Sequence, residues 1–432
     1  MRHATSTLTP VESVVLEAID ENALVASLVD LIRVPSTTGT DAESDLQHSQ
    51  SSELAQLGLD VDSWKFDLDE LRSHPLYPGE ETDRSEGYGL VGITPGDGTP
   101  ALVLQGHIDV VPEGELEKWD GRDPFAGDIV GRVLHGRGAC DMKAGVAANL
   151  GVVRALRAAG VTLERPLAVH SVMSEEDGGL GAFATMLRGH RGDAAVLTEP
   201  TTGRIVTACA GALTFRIEVA GRAAHGSTRM SGVSAFDSFL GIDAAIKQLE
   251  AERNATPDPL FRNYEIPFGI SIGRLHAGNW SSSVPESLVA DGRMGVLLGE
   301  DPADARAAFE QRVAAACARN PWLRDNPAIV TWPGGQFASG SIDAQHEFID
   351  EVSASISDLT GSGAPERAAA PYGSDLRLYS GIGGIPTLHF GPGDVKFAHA
   401  VREQVNLDEL IAVTRSLALL AVRRCGARLQ KH

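Results

Sequence analysis

Between residues 100 and 200 one pattern recurs three times: a short, mainly apolar run that ends in acids or a histidine. Residues 101–104 (ALVL) lead into Gln105-Gly-His-Ile-Asp, residues 167–173 (LAVHSVM) into Ser174-Glu-Glu-Asp, and residues 194–197 (AAVL) into Thr198-Glu-Pro. Near-continuous apolar runs of this length suit strands buried on both faces of a mainly parallel sheet. Residues 142–159 supply a helix of crossover length, with Val146, Leu150, Val153 and Leu156 along one face. The order strand, helix, strand, helix, strand predicts a doubly wound α/β layer. Such layers bind ligands beyond the carboxyl ends of their strands, where these polar residues stand.

After Thr207 the pattern changes. Residues 212–219 (ALTFRIEV) alternate like a half-exposed strand. A helix is expected at about 234–251, with strands near 268–275 and 287–297. Asp301 opens a further helix with Pro302 in its first turn, and residues 328–332 read as another strand. This β-α-β-β-α-β order predicts a smaller α+β domain inserted into the first one. The expected division is a catalytic domain over 1–207 and 340–432, interrupted by an inserted domain over 208–339. Residues 385–390 are expected to form a last buried strand. Upstream, the first 20 residues read as a loose or helical leader, 21–34 as a helix stopping before Pro35, and 67–100 as loops rich in Gly, Pro, Asp and Glu.

Composition narrows the function. With 432 residues, 43% hydrophobic and 22% charged, the chain is ordinary globular material for two or three domains. Thirty-seven Lys and Arg against 58 Asp and Glu leave a net charge of −21. That disfavours phosphate backbones and anionic membranes as partners. The four cysteines are widely spaced and form no C-x-x-C pair, and the N-terminus lacks the apolar stretch of a signal peptide. Reduced thiols and a cytoplasmic location are expected. No G-x-S-x-G or Gly-Lys-Ser/Thr occurs, which disfavours a nucleophile-elbow serine hydrolase and excludes a P-loop. His346-Glu347 begins an H-E-x-x-H whose last position is Asp350.

The chemistry lies in acids and histidines at strand ends. His107 and Asp109 are one residue apart, so in extended chain Asp109 can accept the second ring N–H of His107. Asp141 lies between a glycine-rich turn and the crossover helix. Glu175 and Glu176 directly follow a buried strand, Glu199 repeats the arrangement at the next one, and His399 follows the last strand after Phe390-Gly-Pro-Gly-Asp394. Each alone reads as a cap, a core histidine or a loop acid. Together they crowd carboxylates at one buried rim, which is costly unless cations neutralise them. Oxygen-rich ligation with one imidazole per metal suits two divalent ions, with a leftover carboxylate to take a proton.

His107-x-Asp109, Gly138-Ala-Cys-Asp141-Met-Lys, Ser174-Glu-Glu176, Thr198-Glu-Pro200 and Ala398-His399 resemble the dinuclear zinc family of aminoacylases. That family includes acetylornithine deacetylase, succinyl-diaminopimelate desuccinylase and carboxypeptidase G, and the resemblance runs from about residue 20 to about 415. It implies His107, Asp141 and Glu199 on one metal and Asp141, Glu176 and His399 on the other, with Asp141 bridging. It implies Glu175 as general base and Asp109 as the partner of His107. It also implies an insert serving as lid and dimerisation surface in a homodimer. There His225, in Gly221-Arg-Ala-Ala-His225-Gly, would reach the neighbouring subunit's site to stabilise an oxyanion, and Arg293 would grip a substrate carboxylate. Many relatives carry an Asn three residues before the Pro of the lid's Val-Pro turn; Ser282 stands there in this chain. Gly373-Ser-Asp-Leu-Arg377 resembles a pocket-lining segment. The expected activity is a metal-dependent amidohydrolase acting on an N-acyl amino acid or related small amide. A dipeptidase or carboxypeptidase on the same scaffold and a non-catalytic metabolite binder are the alternatives. Zinc is the leading metal, and cobalt or manganese suit the same ligands.

Overall fold

The fold is built on a nine-stranded sheet whose middle is parallel and whose flanks are antiparallel; the computed structural model describes residues 8–429. Leu167–Val172, Leu102–His107, Ala195–Pro200 and Thr387–Gly391 lie side by side in parallel register. All their residues are buried, as continuous apolar runs require. All three runs between 100 and 200 therefore sit in adjacent positions, and their carboxyl ends share one rim. The Lys143–Ala158 helix crosses over this sheet and packs against the helices Leu407–Cys425 and Glu21–Ile32. Pro10–Glu17 is a helix with a capping box between Thr9 and Glu12; residues 1–7 of the expected leader lie outside the described residues.

The expectation of loops over 67–100 is corrected. Leu68–Ser73 is a helix, and Tyr88–Ile93 is a strand of the main sheet, paired antiparallel to Asp60–Lys65 and to Leu167–Val172. Glycines in YGLVGI hide this strand in the sequence. Gly89 is there because a Cβ would lie 2.0 Å from the indole of Trp64, on the neighbouring strand.

The second sheet falls wholly within residues 211–337. Gly211–Ala220 runs between Ser287–Val296 and Ile329–Thr331, with Ile270–Ala277 beyond. The alternation read from the sequence places Leu213, Phe215, Ile217 and Val219 inward. Helices Ala235–Arg253 and Pro302–Arg319 cover that face through Phe239, Ile242, Phe309 and Val313. The observed order is β-α-β-β-α-β, followed by the short strand Gln336–Phe337. Asp301 caps its helix through the amide of Ala303, with Pro302 in the first turn. Among the described residues, no helix is long and apolar enough to cross a membrane. The four cysteines are free and buried.

Candidate metal centre

The parallel strands bring their carboxyl ends together, and the acids and histidines of the sequence converge there. Asp141 stands in the middle. Its Oδ1 lies 3.1 Å from His107 Nε2 and its Oδ2 3.6 Å from His399 Nε2. Glu199 Oε1 approaches the His107 ring nitrogen at 3.9 Å, while Glu176 Oε2 lies 2.9 Å from that of His399. Two groups of three therefore share one carboxylate, and each oxygen of that carboxylate faces a different imidazole. Among the described residues, His107, Asp141 and Glu176 form the one cluster of potential metal ligands whose ligand atoms all lie within 4.8 Å of one another.

The candidate ligands are fixed by buried acids that grip the main chain. Asp109 is fully buried, and its carboxylate accepts the amides of Glu175 and Glu176, each at 3.1 Å, and the hydroxyl of Thr38 at 2.9 Å. Glu403 does the same across the site, accepting the amides of Cys140 and Asp141 at 2.9 Å each while Arg137 pairs with its other oxygen. In both places a carboxylate uses its lone pairs on N–H groups and leaves the neighbouring side chain free to ligate. One expectation changes here. The second nitrogen of His107 meets the main-chain carbonyl of Asp109 at 2.9 Å, with the carboxylate at 3.6 Å. The carbonyl sets the tautomer because the Asp109 side chain is already engaged by the 175–176 backbone.

A further layer holds the Ser174–Asp177 turn. Ser174 and His399 are non-glycine residues at φ of +62° and +59°, a conformation that persists only where the surroundings impose it. Glu43 accepts the Ser174 amide at 2.8 Å and pairs with Arg84 at 3.1 Å. Arg84 also reaches Asp177 at 3.4 Å, and Asp177 accepts the Ser174 hydroxyl. Glu43, Arg84, Asp177, Arg137 and Glu403 were not singled out as functional in the sequence. The contacts that tie them to the site run mostly over tens to hundreds of positions, as between Arg84 and Asp177, Glu43 and Ser174, or Glu403 and Asp141, so no local spacing marks them.

Electrostatics show what the rim needs. Burial pushes the carboxyls of Glu175 and Glu199 well above the usual glutamate range, with Asp375 adding to the effect at Glu175. The charge of Glu176 holds the His399 imidazolium, raising its pKa to about 9. Glu176 Oε1 is buried without any hydrogen-bond partner. The donors are all carboxylate oxygens and imidazole nitrogens. Buried acids, an orphaned oxygen and this donor set fit divalent cations. Removing bound metal with a chelator is therefore expected to lower the midpoint of thermal unfolding, and added Zn²⁺ to restore it; Asp141→Asn should lose most of that metal-dependent gain.

A cavity of about 430 Å³ opens over the centre. Asp141, Glu175, Glu176, Glu199 and His399 form its floor, and Arg293 and Thr214 reach it from the second sheet. Ser374, from the segment 373–377, also lines it. His225 is exposed, accepts or donates at 2.7 Å to Ser227, and does not line this chain's cavity.

A twin-lobed α/β architecture with a carboxylate–histidine cluster at the sheet rim is that of metal-dependent hydrolases of amide and peptide bonds. The family model of peptidase family M20/M25/M40 matches residues 103–423, and the chain belongs to that family. Among its relatives is the N-formyl-4-amino-5-aminomethyl-2-methylpyrimidine deformylase of Halalkalibacterium halodurans, 25% identical over 96% of this chain and 97% of the relative. A succinyl-diaminopimelate desuccinylase of Rhodopseudomonas palustris is 28% identical over 74% of this chain and 83% of its own length. The acetylornithine deacetylase of Myxococcus xanthus is 26% identical over 77% and 82%. Among solved structures, the dipeptidase Dug1p from Saccharomyces cerevisiae has the same fold, with a TM-score of 0.77 at 14% identity over 98% of this chain and 99% of its own.

Proposed function

We propose that the protein is a dinuclear metal-dependent deacylase that hydrolyses the amide bond of an N-acyl amino acid or similar small amide. The observation that carries this reading is the placement of Asp141, one oxygen toward His107 and the other toward His399, beside a Glu175 whose carboxylate has no hydrogen-bond partner among the described residues. His107, Asp141 and Glu199 would hold one ion, and Asp141, Glu176 and His399 the other. Two divalent ions, zinc by preference, supply Lewis acidity toward the scissile carbonyl and acidify a water molecule.

The chain's own residues do the rest. Glu175 accepts the proton of the attacking water and returns it to the nitrogen as the C–N bond breaks, leaving a carboxylate and a free amine. Burial suits this role, because it lifts the Glu175 carboxyl toward the range where a proton is both taken and given. Arg293 has no acidic partner among the described residues and is free to bind a substrate carboxylate. His225 lies outside this chain's cavity, which supports the reading that 208–339 is a lid and dimerisation domain presenting His225 to a second copy. The test is a panel of N-acetyl, N-succinyl and N-formyl amino acids set against dipeptides, with the metal-loaded protein. Preferential release of the acyl group is expected. Arg293→Ala should lower kcat/KM for carboxylate-bearing substrates roughly 10- to 100-fold, mostly through KM. Faster turnover of dipeptides than of every acyl amino acid would replace deacylase by dipeptidase, and hydrolysis of nothing would leave a binder.

A further inference from the structure

The cavity wall carries two opposite charges that the mechanism above does not pair. Arg293 lies opposite Thr214 in the antiparallel register of the second sheet, so the two side chains are neighbours on one face. Thr214 Oγ1 donates to Glu81 Oε1 at 2.6 Å. Glu81 and Arg293 therefore line the same cavity, linked through Thr214, yet neither forms an ion pair with the other or with any other described residue.

Glu81 is held there by construction. It sits on a strap stitched to both parts of the molecule. The carbonyl of Pro78 accepts the amide of Gln336 at 2.7 Å, and the amide of Thr82 donates to Asp177 at 3.2 Å. Arg84 anchors the far end of the strap between Glu43 and Asp177. Gly334 leaves room for the carboxylate, since a Cβ there would lie 2.6 Å from Glu81 Oε1. An acid on the same cavity wall as a carboxylate-binding arginine disfavours a substrate that brings a carboxylate alone. It rewards one that brings an ammonium as well.

We propose that Glu81 is a specificity-determining residue that, with Arg293, selects substrates whose amine half carries a free cationic amino group in addition to a carboxylate. This rests on the deacylase reading and names the substrate class within it. The matched probes are Nα-acetyl-L-ornithine and Nα-acetyl-L-norvaline, which share a carbon skeleton and differ by the terminal ammonium. Binding is read by calorimetry on the metal-loaded Glu175→Gln protein, where turnover does not interfere, with and without Glu81→Gln. The ornithine probe is expected to bind more tightly, and Glu81→Gln to weaken it about three- to tenfold while the norvaline probe binds as well as before or better. Equal affinity of the two probes, or an equal loss of both on Glu81→Gln, overturns the proposal; the second result would make Glu81 a support for the strap. Wild-type turnover of the same probes reports separately on the deacylase reading. Hydrolysis of both without discrimination removes only the role of Glu81, whereas selective binding without hydrolysis removes only the reaction.

Discussion

Replacing Glu175 by Gln is expected to lower kcat by roughly 10²- to 10⁴-fold while the protein keeps its full complement of metal. The amide is the same size as the acid, and Glu175 is not one of the residues that face His107 and His399 within ion-pairing distance. Its main-chain amide, held by Asp109, is untouched by the substitution. The site should therefore keep its shape and lose only the group that moves the proton. Inductively coupled plasma mass spectrometry alongside steady-state kinetics checks both halves. Glu176→Gln is the contrast, because it alters a proposed ligand and should lose metal as well as rate. A Glu175→Gln protein with near-normal kcat would end the general-base assignment.

The second large effect lies beneath the site. Arg84→Met removes the one cation that, among the described residues, faces both Glu43 and Asp177, and all three side chains are buried. Breaking a buried pair in this way costs about 3–5 kcal/mol, because the remaining charges are left desolvated. Urea unfolding of the metal-loaded protein measures it. The loss has a predictable pH dependence. Burial already pushes Glu43 up to about 8 from 4.5. A carboxyl raised in the folded state binds a proton that the unfolded chain has released, so its contribution falls as pH rises from the ordinary glutamate range through about 8. Losing Arg84 raises it further. The deficit of the variant should thus hold steady up to about pH 8 and deepen above it, where the parent has released the Glu43 proton and the variant has not; a deficit that shrinks above pH 8 would contradict the account. The double substitution Arg84→Met/Glu43→Gln should recover part of the loss, since no carboxylate then remains at position 43.

The parallel middle of the sheet was legible because strands buried on both faces need unbroken apolar runs, and 101–104, 167–173 and 194–197 have them. The acids that follow these runs were legible for the same reason: the end of a buried run marks the rim. The insert was visible in the switch to alternation at 212–219, where one face turns to solvent. Tyr88–Ile93 was hidden by glycines that the neighbouring Trp64 requires, and the loop reading of 67–100 failed there. The supports of the site were illegible for a different cause. Glu403 grips amides more than 260 positions away, and Glu43 grips one 131 positions away. Such contacts exist only after the chain has closed. Side chain and main chain also exchange roles in ways spacing cannot decide, as when the carbonyl of Asp109 takes the His107 ring and its carboxylate takes two amides.

That division of labour between Asp109 and Glu403 has a consequence for how the protein meets a shortage of trace elements. The loops that carry Asp141 and the Glu175–Glu176 pair are tied down through four amide hydrogens, contacts that need no ion. On the proposed ligand set, depletion would pause the catalyst instead of scrapping it, and a returning supply would find its berth in place.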